Sequence, residues 1–568
     1  MNNKIKKNIK WILLVVIIPI LIVVLFLNRN ILFNKKLVGN KITNGLYEYK
    51  LDETSGIQNV IIKNDKVYYL INNDYTYKLK ELDIYTNKTK EIGSIESDSC
   101  LVKNNYLSCV KEGKNILYDT NFKEVIKSDS FDIIPYNNSF LTINEKDIYF
   151  NDKKIKTIKD DIDNFGYTDY FVTKDNTFIE FVSTNDLYIY NVKDDSYEKI
   201  GLYDTYAYDK GLYYSEDDKL VVKDLINNST KKYNNIKSEE LYVSTIKDNL
   251  LIYIDSKYLK IYNLESNKIK ILDYRFKNPF DKVVANDKYI YLVYQGENPK
   301  IYIVNKDEIN SEEYSIDEYK KMQINKISNK VNELENKYNN YIDIIYDVKD
   351  INDYDKWDEK LVNEDKYELI IDALNAIDNV LDKLGVEFLS IFKEKEYDGL
   401  RIVIAREIIA SKDSKIQNQA GFFFPNYTNY NVIVAKSDSP YEQTFCHEMM
   451  HAIDHNAFNN RYDIAGRWYD YNPKKFEYGV KNYIDGNMDY TLYSYNEEEA
   501  KNAYFVDAYS KTNQSEDRAR IFENVCYVGD DNIIKEHENL LKKAKYIREE
   551  LLKYYPSLNN STVFDSIK

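Results

Sequence analysis

A short phrase, an alternating apolar strand running into a polar turn, recurs seven times along the chain, and no other feature limits the fold more. It appears as LeuAspIleTyr at 82–85, AsnIleLeuTyrAsp at 115–119 and AspIleTyrPheAsn at 147–151. It returns as LeuTyrIleTyrAsn at 187–191, LeuValValLysAsp at 220–224, LeuLysIleTyrAsn at 259–263 and LysIleTyrIleValAsn at 300–305. Alternation with period two is the mark of a half-buried strand, because successive side chains point to opposite faces. The last strand residues of successive phrases are 32 to 42 residues apart, room for several strands per unit.

A period of this size predicts a β-propeller over residues 40–310, and seven phrases predict seven blades. The competing reading is a pair of β-sandwiches with accidental likeness. Composition agrees with strands: the 568 residues include 56 Tyr, whose ring suits a half-buried strand while its hydroxyl stays in water. Gly 16 and Pro 8 are too few for a disordered or collagen-like chain. With 78 basic and 93 acidic residues the net charge is −15, which argues against an electrostatic nucleic-acid binder. The repeats hold no motif with chemistry of its own, so a propeller here is a spacer or a docking surface. Cys100 and Cys109 are spaced to join neighbouring strands of one blade.

Residues 1–36 read as a cytoplasmic tip and membrane anchor. Lys4, Lys6, Lys7 and Lys10 precede an apolar run, Trp11 to Leu27, that at about 1.5 Å per residue nearly crosses a bilayer core. The run ends LeuPheLeuAsnArgAsn, without the small residues of a cleavage site. The expectation is a single-pass cell-membrane protein with its bulk extracytoplasmic. The alternative is secretion after signal cleavage.

Near residue 314 the texture changes, and 314–568 reads as an α+β domain. Residues 314–338, which lack alternation, read as a helix, 364–384 have helical spacing of apolar positions, and 342–346, 401–405, 420–424 and 431–435 read as strands. Three of the chain's four His fall between 447 and 455, and residues 447–451 read HisGluMetMetHis. On a helix, positions i and i+4 share a face, so His447 and His451 can bind one zinc ion, with Glu448 beside the open position as general base. Ser439, Pro440 and Glu442 predict the helix start, as N-cap, N1 and capping-box residues. Phe445, Met449, Ala452 and Ile453 would form its buried stripe. Zinc needs a third protein ligand, and spacing leaves Glu477, Glu497, Glu498, Glu499, Asp507, Glu516 and Glu523 open.

The stretch 505–523, PheValAspAlaTyrSerLysThrAsnGlnSerGluAspArgAlaArgIlePheGlu, resembles the third-ligand segment of the anthrax lethal factor-like zinc peptidases, which include the bacterial Pro-Pro endopeptidases. In that group a Tyr stands seven positions before the zinc-binding Glu, and the Glu opens a helix; Tyr509 and Glu516 have that spacing here. The resemblance covers 314–568 only. It implies a zincin-like domain with one zinc on His447, His451 and Glu516. Glu448 becomes the base and Tyr509 the hydroxyl donor to the oxyanion. One position departs: the relatives carry a second acid four residues after the ligand Glu, and Arg520 stands there, leaving Glu523 as the supporting acid on the same helix. Asp454 matches an Asp of the group and would orient an imidazole, or is a solvated charge. His455 reads as a bystander. Cys446 and Cys526 are a buried thiol pair or a bridge between the two ligand helices.

The expected function is a membrane-anchored, extracytoplasmic zinc metalloendopeptidase acting on protein or peptide substrates. PhePhePhe at 422–424 is core or the edge strand that aligns an extended substrate. Two alternatives stand: a surface binding protein with a degenerate peptidase domain, to which Arg520 lends support, and a zinc amidase acting on cell wall.

Overall fold

A computed structural model describes residues 36–568, except 158–170, 349–359, 410–418, 480–502 and shorter stretches of a few residues. The apolar run Trp11–Leu27 and the anchor expected of it lie outside the described residues. Among the described residues, no helix is long and apolar enough to cross a membrane. The chain divides into two compact units, Met1–Ile316 and Asp317–Lys568.

The first unit is a β-propeller-like ring of antiparallel sheets. Six sheets are built on four-stranded meanders of consecutive strands, within 59–96, 99–128, 132–157, 171–200, 205–233 and 244–275, the last extended by a fifth strand, Tyr314–Ser315. Another sheet joins the two ends of the unit: strand Leu46–Lys50 lies antiparallel to Lys300–Asn305, pairing Leu46 with Val304 and Lys50 with Lys300. The seven phrases therefore do not mark seven sequential blades. Six blades arise as sequential repeats, and the last phrase lies in the closing sheet, where no local signal announces the partner strand. Each phrase is the third strand of its sheet.

Two-residue turns set the meanders. Asn64–Asp65, Asp217–Asp218 and Asp248–Asn249 each place both residues at φ between 50° and 62°. That is the hairpin geometry whose twist matches the strands, and Asn and Asp tolerate it best. Many tyrosines are buried more deeply than half-exposed strand positions require. Tyr49, Tyr213 and Tyr262 are almost completely buried. Their hydroxyls find protein partners instead of water: the Ile84 carbonyl at 2.7 Å, Ser244 Oγ at 3.1 Å and Asn267 Oδ1 at 3.1 Å. A disulfide joins Cys100 and Cys109, which face each other across one hairpin.

The second unit is α+β. Its main sheet runs Ile342–Ile345, Gly399–Ala405, Tyr430–Lys436, Gly421–Tyr427, the first three parallel and the last antiparallel at the edge. Helices Ile316–Lys337 and Tyr367–Leu384 bury Ile327, Leu334, Leu374, Ile377 and Leu381 in the same core as Ile402 and Ile433. The second of these helices starts at Tyr367 instead of 364, because Glu364 turns its carboxylate onto the Lys366 N–H and the Ser437 hydroxyl.

Candidate metal centre

Helix Tyr441–Asn460 carries the histidines. Its start differs from the expected cap. Pro440 itself is the N-cap, the Ser439 hydroxyl donates to the Lys436 carbonyl at 2.6 Å, and Glu442 accepts from Lys383 at 2.9 Å. The local turn and a long-range lysine thus take both groups of the predicted capping box. Phe445, Met449, Ala452 and Ile453 are buried as expected, and so are His447 and Glu448, because a second helix covers the opposite face. That helix is Gln514–Cys526, capped by the side chain of Asn513, which accepts from the Glu516 N–H at 2.9 Å.

Where the helices meet, His447, His451 and Glu516 offer one ligand atom each within 4.8 Å of one another. Glu516 Oε2 stands 3.0 Å from His447 Nε2 and 3.3 Å from His451 Nε2, and the two Nε2 atoms are 3.3 Å apart. The other ring nitrogens are occupied. His447 Nδ1 faces Glu523 Oε2 at 3.1 Å, and His451 Nδ1 faces Ser515 Oγ at 3.1 Å, whose hydroxyl donates to Asp454. Placing the ring protons on Nδ1 satisfies both contacts. Both Nε2 atoms then face a Glu516 carboxylate oxygen, a contact satisfied by a shared cation or by a proton on the imidazole.

The charges agree. Burial opposes the charged form of His447, yet Glu516 and Glu523 outweigh it and lift its pKa to about 10. Burial of Glu516 is overcome by the two imidazoles, which hold its carboxyl below the ordinary range. The donor set fits zinc: four donors at about 2.0–2.1 Å in a tetrahedron stand roughly 3.3 Å apart.

Glu448 is buried beside this triangle, and burial pushes its pKa up against the pull of the imidazoles. Tyr509 opens a short 3-10 turn, Tyr509–Lys511, with its ring 6.1 Å from that of His447. Both line a cleft of about 900 Å³, together with Gly421 and Phe423 of the edge strand. The Lys436 N–H donates to the Ala420 carbonyl at 2.8 Å, so alternation turns the backbone groups of Gly421 and Phe423 outward, where no described strand pairs with them. Gly421 is needed for this approach, since a Cβ there would lie 2.7 Å from Thr444 Cγ2 and 2.8 Å from the Val434 carbonyl oxygen.

The other acids have separate places. Glu497, Glu498 and Glu499 lie outside the described residues, and Glu477 is exposed away from the cluster. Asp507 pairs with Arg520, and Glu523 backs His447 without joining the triangle. Asp454 is no solvated charge: it pairs with Arg518 at 2.7 Å and reaches His451 through Ser515. His455 stands apart, against Tyr397 and Phe423. Cys446 and Cys526 are free, buried thiols side by side, not a bridge. Arg518 and Gln443, which donates to Glu523, carry no sequence signal of this role, because on helices such residues read as solvated.

No family model matches the chain, and no curated protein matches it. Among solved structures, BamB from Moraxella catarrhalis is 10% identical at a TM-score of 0.29, over 48% of this chain and 99% of that one. The extracellular domain of a B. thetaiotaomicron protein described as a one component system is 12% identical at a TM-score of 0.33, over 46% of this chain and 40% of that one. Nothing about the metal centre follows from either likeness.

Proposed function

We propose that this chain is a zinc-dependent metalloendopeptidase whose active site lies in residues 317–568. The observation that carries the reading is the triangle of His447 Nε2, His451 Nε2 and Glu516 Oε2 beside a buried Glu448 and an open strand edge. The spacing shared by Tyr509 and Glu516 with the lethal factor-like peptidases supports a placement near that group.

Zinc, when bound, supplies a Lewis acid that polarises a carbonyl and lowers the pKa of water. The chain's own residues do the rest. An extended peptide adds to the open edge, where the backbone groups of Gly421 and Phe423 hold it in register. Glu448 takes the proton from the attacking water and returns it to the leaving amine. Its raised pKa brings it closer to working pH than an exposed carboxylate. The Tyr509 hydroxyl donates to the oxygen that gains charge in the transition state. Glu523 and Ser515 fix the ring orientations of His447 and His451.

The disulfide Cys100–Cys109 fits an oxidising compartment and so supports export, with the Trp11–Leu27 run as a tether. The propeller-like unit would serve as spacer or docking surface.

The test is Glu448→Gln. Purified wild type should hold about one zinc per chain and cleave an unfolded protein. The variant should keep the zinc and lose about 10²–10⁴-fold in rate. Glu516→Ala should instead lose zinc, because two imidazoles alone hold the ion poorly. Wild type that binds zinc and cleaves nothing would favour the binding-protein alternative, and wild type without zinc would end the proposal.

A further inference from the structure

We infer that Arg520 is a positioning residue, a strut that ties the back of the His447 imidazole to the turn carrying Tyr509. The inference rests on the metallopeptidase reading. Arg520 stands where the resembling group has an acid, and a chain of four hydrogen-bonded steps through it connects a proposed ligand to the turn of the oxyanion donor.

The first arm runs to the histidine. Arg520 Nη1 donates to both oxygens of Glu523, at 2.7 and 2.5 Å, and Glu523 Oε2 faces His447 Nδ1 at 3.1 Å. The second arm runs to the turn. Arg520 Nε donates to Asp507 Oδ2 at 2.8 Å, and Nη2 donates to the same oxygen. Asp507 Oδ1 accepts from the backbone N–H and from the hydroxyl of Ser510, both at 2.9 Å. Ser510 follows Tyr509, whose carbonyl accepts from Thr512 Oγ1 at 2.7 Å. Asp507 therefore sets the turn from which the Tyr509 ring enters the cleft.

Only an arginine has the shape for both arms. Glu523 is 1% exposed and Asp507 8%, so two carboxylates share one buried space and need a common counter-charge. A guanidinium donates from three nitrogens in a fixed plane, whereas an ammonium is a point charge on a flexible stem. Without the guanidinium, Glu523 loses the donor that fixes both of its oxygens and is free to turn. That turn disturbs its acceptance from His447 Nδ1.

The arms can be cut separately in the full chain. Zinc affinity is read by competition with a chelating dye, and kcat and KM by cleavage of an unfolded protein. Glu523→Gln should weaken zinc binding by about 10–100-fold, the range for a group behind a ligand. Asp507→Asn should leave zinc affinity within a few-fold of wild type and lower kcat, with KM little changed. Arg520→Lys should show both losses, and in a Tyr509→Phe background its kcat loss should largely vanish. Circular dichroism melts check that each variant folds. Arg520→Lys matching wild type in zinc affinity and kcat overturns the strut. So does Asp507→Asn weakening zinc as much as Glu523→Gln, since the arms would then not be separate. Wild type that neither holds zinc nor cleaves overturns the metallopeptidase reading itself, a result distinct from an active wild type with an indifferent Arg520.

Discussion

The propeller-like unit and the α+β unit satisfy their polar groups over different distances along the chain. In the propeller many ion pairs join strands of one sheet: Lys66 with Glu81, Lys232 with Glu216, Lys78 with Glu91. Even its buried pair, Lys260 with Asp255 at 2.7 Å, spans one hairpin turn. In the α+β unit Arg520 and Glu523 pair within one helix, but the other buried pairs at the site join separate elements. Arg518 reaches Asp454 across 64 positions, and Lys543 reaches Asp517 across 26, both side chains of the latter pair fully buried. A repeat can close its hydrogen bonds within each hairpin, whereas a metal centre between two helices is held by groups brought together only by the tertiary fold.

The largest effect should come from breaking the deepest of these links. Asp517 follows Glu516, the proposed third ligand, and its Oδ2 accepts from Lys543 at 2.6 Å, Trp468 Nε1 at 2.9 Å and the Tyr478 hydroxyl at 2.6 Å. Lys543→Met leaves a buried carboxylate without its counter-charge and should cost about 3–5 kcal/mol. Hydrogen exchange in helix Gln514–Cys526 measures the loss in the α+β unit alone, with the propeller strands as an internal reference. Unchanged protection of that helix would mean the pair is no anchor for the ligand segment.

The same contrast explains what the sequence could tell. The blade phrases were legible because strand alternation and Asn/Asp turns are written within ten residues. HisGluMetMetHis was legible for the same reason, since a helix brings i and i+4 together without help from the rest of the fold. The closing pair of Leu46–Lys50 with Lys300–Asn305 carries no local mark, and so the count of sequential blades came out one too high. Glu516 emerged from a family resemblance, not from spacing. Arg520 read as a departure, because a single strand of text cannot show Asp507 and Glu523 converging on it. The capping box at Ser439 failed for the converse reason: Lys383, 59 positions away, takes Glu442.

A smaller effect, confined to one blade, should follow loss of the disulfide. Cys100 and Cys109 are both buried, and the loop they close is short. The paired substitution Cys100→Ala with Cys109→Ala should cost about 2–3 kcal/mol. Exchange should quicken in strands Ser99–Lys103 and Tyr106–Lys111 and much less in the sheets on other sides of the ring. Quickening of equal size in every sheet would show that the blades unfold as one cooperative body, against the local closure argued above.

The smallest effect tests whether distance from water, more than the presence of an ion pair, separates the two units. Lys78 and Glu91 lie 3.7 Å apart on adjacent strands, with side chains 38% and 45% exposed. By charge and type the pair matches Lys543 with Asp517, but water screens both groups before and after folding. Their attraction is then offset by the entropy of holding two long side chains still, and exposed pairs contribute about 0.2–1 kcal/mol at most. Lys78→Ala should therefore change protection of strands Thr76–Asp83 and Lys88–Glu96 by less than about 0.5 kcal/mol, and less again in 1 M salt. A loss near that of Lys543→Met would mean that exposed charges hold the propeller as firmly as buried ones hold the candidate site, and the division drawn between the units would fail.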